Sequence, residues 1–311
     1  MQSTHLNKKA FALSLVLWIV AALLFGATTL AILAKDTLFL TKGVDNKLKT
    51  ELMVEDALES LKFYITTANF DNSSFINNSL NDFKYKFPTR MVVDNRWYSL
   101  NKNVQIRVQD TTGLLNILTI DPKAVALMAT KASQDQLHYV ISDSIEDWID
   151  KDDIVSLNGA EASHYNLIEH KNFKIRNSKS IQNVAELRLI NGIDKLSKVE
   201  WLKLKEKLYY GNGNIANLML VNDKYLAFLL DIDLSDAQDL IAIRESDKDK
   251  YVSLISSLKS FNDDSMGFYL SKELKIKIKA SLKSSTTILN AIIDFKEDVH
   301  KQYTVIKIHI I

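Results

Sequence analysis

The sequence contains no cysteine and little proline or glycine. Its 311 residues include two prolines and eight glycines. Without cysteine the protein has no thiol nucleophile and no disulfide bonds, so its stability must come from its core. The scarcity of proline and glycine argues against long disordered linkers.

An excess of charge of one sign and a catalytic motif are lacking as well. Lys and Arg number 39 against 38 Asp and Glu, so no global field favours nucleic acid or acidic partners. The six histidines are scattered, and no GxSxG, HExxH or P-loop pattern occurs. His164, beside Tyr165 and near Glu161, is more typical of a structural or surface histidine than of an acid–base pair. The sequence therefore predicts a protein that is not an enzyme.

A charge-free apolar segment of 24 residues runs from Phe11 to Ala34, which is long enough to span a bilayer. Lys8 and Lys9 precede it and place the short N-terminus on the cytoplasmic side. Apolar residues then recur at helical spacing as far as Tyr64. We therefore predict one long helix, membranous in its first half and amphipathic in its second. An ordinary signal anchor ahead of an unrelated domain is the alternative.

Two segments show the two-residue period of half-buried strands, Val104–Val108 and Leu274–Ala280. LLNIL, which follows the first, is a further candidate strand, and ILNAIIDFKED and YTVIKIHII complete a predicted antiparallel set. Between Pro122 and about residue 260 the pattern is helical. Because each strand group alone is too small to be stable, this order predicts one sheet domain interrupted by a helical insertion.

Two weakly similar helix–hairpin–helix units lie inside the helical region. In the first, Asn183 and Glu186 indicate a helix cap and Gly192 turns the chain; in the second, Ser235 and Gln238 form a capping-box signature. Such hairpins can bind nucleic-acid phosphates through backbone N–H groups. A membrane-anchored extracytoplasmic DNA receptor is therefore the alternative function. Because the second hairpin is acidic, where DNA binding needs Lys or Arg, a compact helical interaction module is favoured.

The stretch DWIDKDDIVSLNGAEASHY places acidic residues around an Asn-Gly turn. Asp150, Asp152, Asn158 and Glu161 occupy positions one, three, nine and twelve of a twelve-residue window, similar to the oxygen spacing of a calcium loop. Val155 stands at position six, where an EF-hand requires glycine, so the stretch is not an EF-hand. Oxygen ligands without cysteine or clustered histidine favour a hard cation, calcium above zinc. A solvated acidic loop is the alternative.

Several segments together resemble one family. KKAFALSLVLWIVAALL is similar to a type IV pilin-like leader and helix, and DTTGLLNILTID to a strand-and-turn segment of the family. DWIDKDDIVSLNGAEASHYN and VAELRLINGI resemble its most recognisable motif and its first SAM-like helical unit. NIANLMLVNDKYLAFLLDIDLSDAQDLIAIRES resembles the second unit. Over nearly its whole length the chain resembles the K-type minor pseudopilin of bacterial type II secretion systems, as a divergent member of a secretion system or of a type IV pilus-like machine.

The resemblance implies an α+β fold with a long pilin-like N-terminal helix and an antiparallel sheet, interrupted by a large all-helical, SAM-like insertion. The implied divisions are a leader (1–10), the transmembrane half of the helix (11–34), the first part of the pilin-like domain (35–119), the helical insertion (120–262) and the C-terminal strands (263–311).

The resemblance also implies a role in protein secretion, at the tip of a periplasmic pseudopilus whose assembly the protein helps to initiate. Expected partners are I- and J-type minor pseudopilins, the bacterial inner membrane through residues 11–34 and the prepilin peptidase, with no nucleic acid. The peptidase would cut between Ala10 and Phe11, and the new amine would be methylated. The N-terminus is expected in the cytoplasm and the C-terminal domain in the periplasm.

The resemblance also bears on Leu15, which would be the fifth residue after cleavage before Phe11. Most pilins carry Glu there, which neutralises the terminal ammonium of a neighbouring subunit inside the apolar filament core. This chain has Leu15, so it cannot compensate a buried charge above it and fits best at the filament end. A bulky helical insertion also favours a position at the filament end, because it would clash with stacked neighbours.

Finally, the resemblance implies a structural calcium ion in the helical domain. Asp150, Asp152 and Glu161 are the leading candidate ligands, and Asp153 is a further one.

Overall fold

The computed structural model describes residues 4–78, 84–119, 121–131, 134–169, 180–211, 215–295 and 303–310, and for residues 4–13, 135 and 166–169 it describes the backbone only. The helices are α1 (Thr4–Thr66), α2 (Pro122–Ala129), α3 (Asp135–Ile149), α4 (Ala162–Glu169), α5 (Lys198–Glu206), α6 (Asp223–Leu230), α7 (Leu234–Ser246) and α8 (Lys248–Ser256). The strands are β1 (Asn69–Phe70), β2 (Ser74–Ile76), β3 (Arg90–Val92), β4 (Asp94–Ser99), β5 (Val104–Asp110), β6 (Leu115–Asn116), β7 (Leu208–Tyr209), β8 (Ala216–Asn217), β9 (Met266–Gly267), β10 (Glu273–Leu282), β11 (Ser285–Asp294) and β12 (Thr304–Ile310).

Helix α1 is continuous over 63 residues, which confirms the prediction of one long helix. From Ser14 onward its first half is exposed, and it contains a segment that is long and apolar enough to cross a membrane. Its last turns are amphipathic and bury one stripe of side chains in the core. The stripe consists of Val54, Ala57, Leu58, Leu61, Tyr64 and Ile65.

The main sheet has five strands in the order β12-β11-β10-β5-β4, and all neighbouring pairs are antiparallel. In β10, Leu274, Ile276, Ile278 and Ala280 are buried, while the residues between them are half-buried on the other face. Helix α1 packs across β10 and β11. The predicted alternating strands are therefore confirmed, and their apolar face forms the core with α1.

Shorter strands were harder to predict. The candidate strand LLNIL reduces to β6, which pairs in parallel with β7 and lies outside the main sheet. Strands β1, β2 and β3 form a small antiparallel sheet in the polar region after α1. A second short parallel pair joins β8 to β9. Such two- and three-residue pairings have no sequence period, because tertiary contacts decide them.

The helical region has the predicted position: α2 to α8 all follow β6 and precede β9. It also contains the short strands β7 and β8, which connect it to the segments on either side. The division into domains at residues 120 and 262 stays a prediction.

Neither predicted cap, Asn183 or Ser235, occupies the N-cap position of a helix. The Asn183 side chain accepts a hydrogen bond from the Glu186 N–H at 3.0 Å, although only a 3-10 turn over Glu186–Leu189 follows. The predicted capping box of Ser235 and Gln238 is wrong, because the N-cap position of α7 is Asp233, two residues earlier, and its side chain makes no capping hydrogen bond. A complete capping box is formed instead by Ser197 and Glu200 at the start of α5.

Candidate metal centre

Three carboxylates converge where α3 ends and α4 begins. Asp147 lies in the last turn of α3, Asp150 follows its last residue, and Glu161 directly precedes α4. One oxygen from each of the three lies within 4.8 Å of the other two. Asp147 and Asp150 are three residues apart, a spacing that places side chains on the same side of a helix end.

Two of these carboxylates, Asp150 and Glu161, have buried oxygens that lack a hydrogen-bond partner among the described residues. Asp147 is 0% exposed and Glu161 is 2% exposed. Both oxygens of Glu161 and Oδ1 of Asp150 are buried and have no hydrogen-bond partner among the described residues. A buried carboxylate without a partner is costly, so the cluster requires either bound protons or a cation.

The protonation behaviour reflects this environment. Burial raises the pKa of Asp150 above its ordinary value, and the neighbouring Asp152 and Asp147 raise it further. Burial also raises the pKa of Glu161, and Asp147 adds to the shift. In each case the cause is that anions are gathered in a place with little water.

The loop between the two helices holds the cluster in place. The backbone N–H of Ser156 donates to both oxygens of Asp147, each at 3.2 Å. The backbone and side-chain nitrogens of Asn158 both donate to Oδ2 of Asp143, each at 3.0 Å. Gly159 then packs directly on the Asp147 carboxylate and leaves no room for a Cβ atom.

The structure brings together two of the four predicted ligands, Asp150 and Glu161. Asp152 and Asp153 lie outside the group: Oδ1 of Asp152 accepts a hydrogen bond from the Ile154 N–H at 2.9 Å, and Asp153 is exposed. Asp147 takes the third place, and sequence reasoning missed it. Which acids coordinate an ion stays a prediction.

The cluster fits a hard divalent cation. Its donors are oxygens of Asp147, Asp150 and Glu161, the ligand type that calcium prefers. A cation there would neutralise the mutual repulsion and give the unpartnered oxygens a ligand. The burial of the unpartnered oxygens argues against the alternative of a solvated acidic loop.

Aromatic contacts tie the centre to the first hairpin unit. Trp148 donates from Nε1 to Oε1 of Glu186 at 3.0 Å, and its ring meets that of Tyr165 edge-on at 5.2 Å. The Tyr165 hydroxyl accepts a hydrogen bond from the backbone N–H of Asn191 at 3.1 Å. Helices α3 and α4 are thereby fixed to the segment that contains Gly192.

The hairpin itself is closed by its own hydrogen bonds. Gly192 adopts a left-handed φ of 90°, and its N–H donates to Oδ1 of Asp194 at 2.9 Å. The N–H groups of Ile193 and Asp194 both donate to the Ile190 carbonyl. These donors are therefore occupied within the first hairpin, which disfavours phosphate binding through them.

The processing residues lie in α1. The backbone of Ala10 and Phe11 is helical, but their side chains lie outside the described part of the chain, as do residues 1–3 altogether. Leu15 is described and is 52% exposed.

The comparisons with known proteins agree with this architecture. Residues 104–199, which include β5, the acidic cluster and the first hairpin, match the family model of type II secretion system protein K. No curated protein matches the chain.

A solved structure, the GspK–GspI–GspJ complex of the type 2 secretion system of enterotoxigenic Escherichia coli, matches with a TM-score of 0.50 and 14% identity. The match covers 87% of this chain and 97% of the matched chain, and at that identity it shows the fold. By its segment 104–199 and by its fold, the chain is similar to the K-type minor pseudopilins of type II secretion systems.

Proposed function

We propose that the chain is a non-enzymatic subunit that caps the tip of a periplasmic pseudopilus and helps to initiate its assembly for protein secretion. The observation that carries this proposal is the exposed apolar half of α1 with leucine, not a carboxylate, at position 15. An exposed apolar helix of this length requires a membrane or other helices around it. Without a carboxylate at Leu15, the chain cannot neutralise an ammonium group of a subunit packed above it.

The helical region supports the same end position. Helices α2 to α8, which lie between β6 and β9, add bulk beside the sheet that α1 covers. A subunit within the filament must accept neighbours on every side of α1, whereas a terminal subunit leaves one end free for such an addition.

The proposed partners follow from the matched complex. That structure contains GspK with GspI and GspJ. We infer that this chain assembles with I- and J-type minor pseudopilins, with its C-terminal domain in the periplasm and residues 11–34 in the inner membrane. Cleavage between Ala10 and Phe11 by the prepilin peptidase and methylation of Phe11 belong to the same proposal.

We further propose that Asp147, Asp150 and Glu161 hold a structural calcium ion, with Asp152 and Asp153 outside the coordinating group. The unpartnered buried oxygens of Asp150 and Glu161 support this assignment. The ion would supply positive charge to the cluster. The chain's own residues would then keep the α3–α4 loop closed through Ser156 and Gly159.

Gold labelling of isolated pseudopili with an antibody against the helical region tests the tip position. We expect label at one end of each filament. Leu15→Glu, like the uncharged control Leu15→Gln, should keep the label at the end, because the helical region still excludes internal positions. Wild-type label distributed along the length would contradict the tip position.

A further inference from the structure

The outer face of the main sheet, which points away from α1, carries a row of lysines. Lys275, Lys277 and Lys279 alternate along β10 with the buried residues of the core. Alternate residues of a strand lie about 7 Å apart on one face. The strand therefore presents three cations within about 14 Å.

A fourth cation faces this row from the neighbouring strand. Arg107 of β5 lies directly opposite Lys277 in the antiparallel register. Like charges in this position repel each other and destabilise the sheet. The Arg107 side chain is only 13% exposed, and its guanidinium carbon lies 5.0 Å from the centre of the Trp97 ring. Its Nε is buried and has no hydrogen-bond partner among the described residues.

The end of α5 closes one side of this surface. Glu206 accepts a hydrogen bond from Nη2 of Arg107 at 2.5 Å and is the one carboxylate in contact with it within the described residues. Lys205, next to Glu206, adds positive charge near Lys275 and Lys277.

The lysines are poorly compensated. In the described part of the chain, the side chains of Lys275 and Lys277 make no hydrogen bond or ion pair. Burial lowers the pKa of Lys275 to about 8; Glu206 opposes the shift, and Arg107 contributes to it. The fold thus keeps cations together at a cost to its stability, as binding sites for anions do.

We propose that Arg107, Lys205, Lys275 and Lys277 form a binding site for a phosphate-type oxyanion at the junction between the sheet and α5. An oxyanion has several acceptor oxygens, so it can receive the unused Arg107 donor and the lysine ammonium groups together. Its charge would offset the repulsion between Arg107 and Lys277.

The position in the fold favours a soluble source of the oxyanion over a lipid headgroup. Thr50 of α1 hydrogen-bonds Thr287, which pairs with Ala280, whereas Lys62 lies over Tyr303 beyond the opposite end of β11. Lys275 is therefore near the membrane-distal end of β10. Some 26 helical residues beyond Ala34 correspond to about 40 Å, which a headgroup of the anchoring membrane does not bridge.

The test measures the melting temperature of the full-length chain in detergent micelles, in inorganic phosphate and in chloride of equal ionic strength. Phosphate at a hundredfold excess over Kd should raise the melting temperature by about 5 °C relative to chloride. No difference between phosphate and chloride would overturn the proposal.

Lys275→Met separates binding from folding. In chloride this variant should melt higher than the wild type, because it removes a half-buried repelled charge, and it should lose the response to phosphate. Lys259→Met removes an exposed lysine elsewhere and should keep the response. A Lys275→Met variant with the full phosphate response would contradict the site.

Reconstitution in nanodiscs distinguishes the two sources. Without free phosphate, the melting temperature of the chain should be the same in discs of phosphatidylcholine with phosphatidylglycerol as in discs of phosphatidylcholine alone. A rise with phosphatidylglycerol that Lys275→Met abolishes would overturn the soluble source and assign the site to a headgroup.

Discussion

Gly159 rests on the carboxylate of Asp147, so closely that a methyl group at position 159 would overlap the carboxylate oxygens. The contact explains why glycine follows Asn158 in the loop. Any larger residue would push Asp147 out of the cluster that it forms with Asp150 and Glu161.

Gly159→Ala should therefore destabilise the protein by about 1–3 kcal/mol, the usual cost of overpacking a filled site, and weaken calcium binding. Gly43→Ala is the matched control, because nothing lies within 4 Å of a Cβ atom there. In the middle of α1 that change should stabilise by about 0.5–1 kcal/mol. Urea unfolding with and without calcium measures the stability change of each variant. An unchanged unfolding midpoint for Gly159→Ala would contradict the contact between Gly159 and Asp147.

Glu161→Gln should have opposite effects with and without calcium. Without the ion, the neutral amide removes an unpartnered buried charge, so the variant should melt higher than the wild type. With calcium at a hundredfold excess over Kd, the wild type gains about 3 kcal/mol and the variant much less. Thermal melts in chelator and in calcium test this; a variant less stable than the wild type in chelator would count against it.

In the absence of calcium, the stability of the protein should depend on pH through the buried carboxylates Asp150 and Glu161. Because the pKa values of Asp150 and Glu161 are raised in the folded protein by burial and neighbouring acids, both groups bind protons more tightly folded than unfolded. Their contribution to stability is full below the unfolded pKa of about 4 and is lost as the pH rises through the folded pKa.

Chelator-treated wild type and the double variant Asp150→Asn, Glu161→Gln isolate this contribution from that of carboxylates elsewhere. The wild type should lose stability relative to the double variant as the pH rises above about 4, and calcium should cancel the loss. If the free energy of unfolding of the two proteins in chelator changed with pH in parallel, the predicted contribution of Asp150 and Glu161 would be refuted.

Asp110 joins the strand before the helical region to the segment after it. Its carboxylate accepts hydrogen bonds from both the N–H and the hydroxyl of Thr112, at 2.9 and 2.6 Å, and from the N–H and hydroxyl of Ser271, at 2.9 and 2.8 Å. Asp110→Ala should cost about 3 kcal/mol or more, because several donors lose a charged acceptor. Asp45→Ala, which breaks an exposed pair with Lys49, should cost less than about 1 kcal/mol in the same urea titration.

Much of the fold could be predicted because its longest elements have a clear period. Helix α1 follows from an apolar run that continues into an amphipathic stripe, and β10 from the alternation of lysine with apolar residues. The strand predicted in LLNIL exists only as the two-residue β6, and its parallel pairing outside the main sheet was not predictable because its partner, β7, lies far along the chain. No local pattern records such a pairing.

The candidate site was likewise predictable only in part. Asp150 and Glu161 were found from loop spacing, whereas Asp147 was missed because it belongs to the preceding helix. Its signal was present: Asp147 and Asp150 are three residues apart, as side chains on one helix face are. The Asp152 side chain instead caps the Ile154 N–H, a local hydrogen bond that spacing alone does not reveal.

Calorimetric titration of the full-length, chelator-treated chain with calcium tests the central claim most directly. Wild type and Asp152→Asn should bind the ion, because Asp152 lies outside the buried group, and Asp147→Asn should lose binding by tenfold or more, which is about 1.4 kcal/mol. Absence of calcium binding by the wild type, or a loss confined to Asp152→Asn, would contradict a metal centre built on Asp147, Asp150 and Glu161.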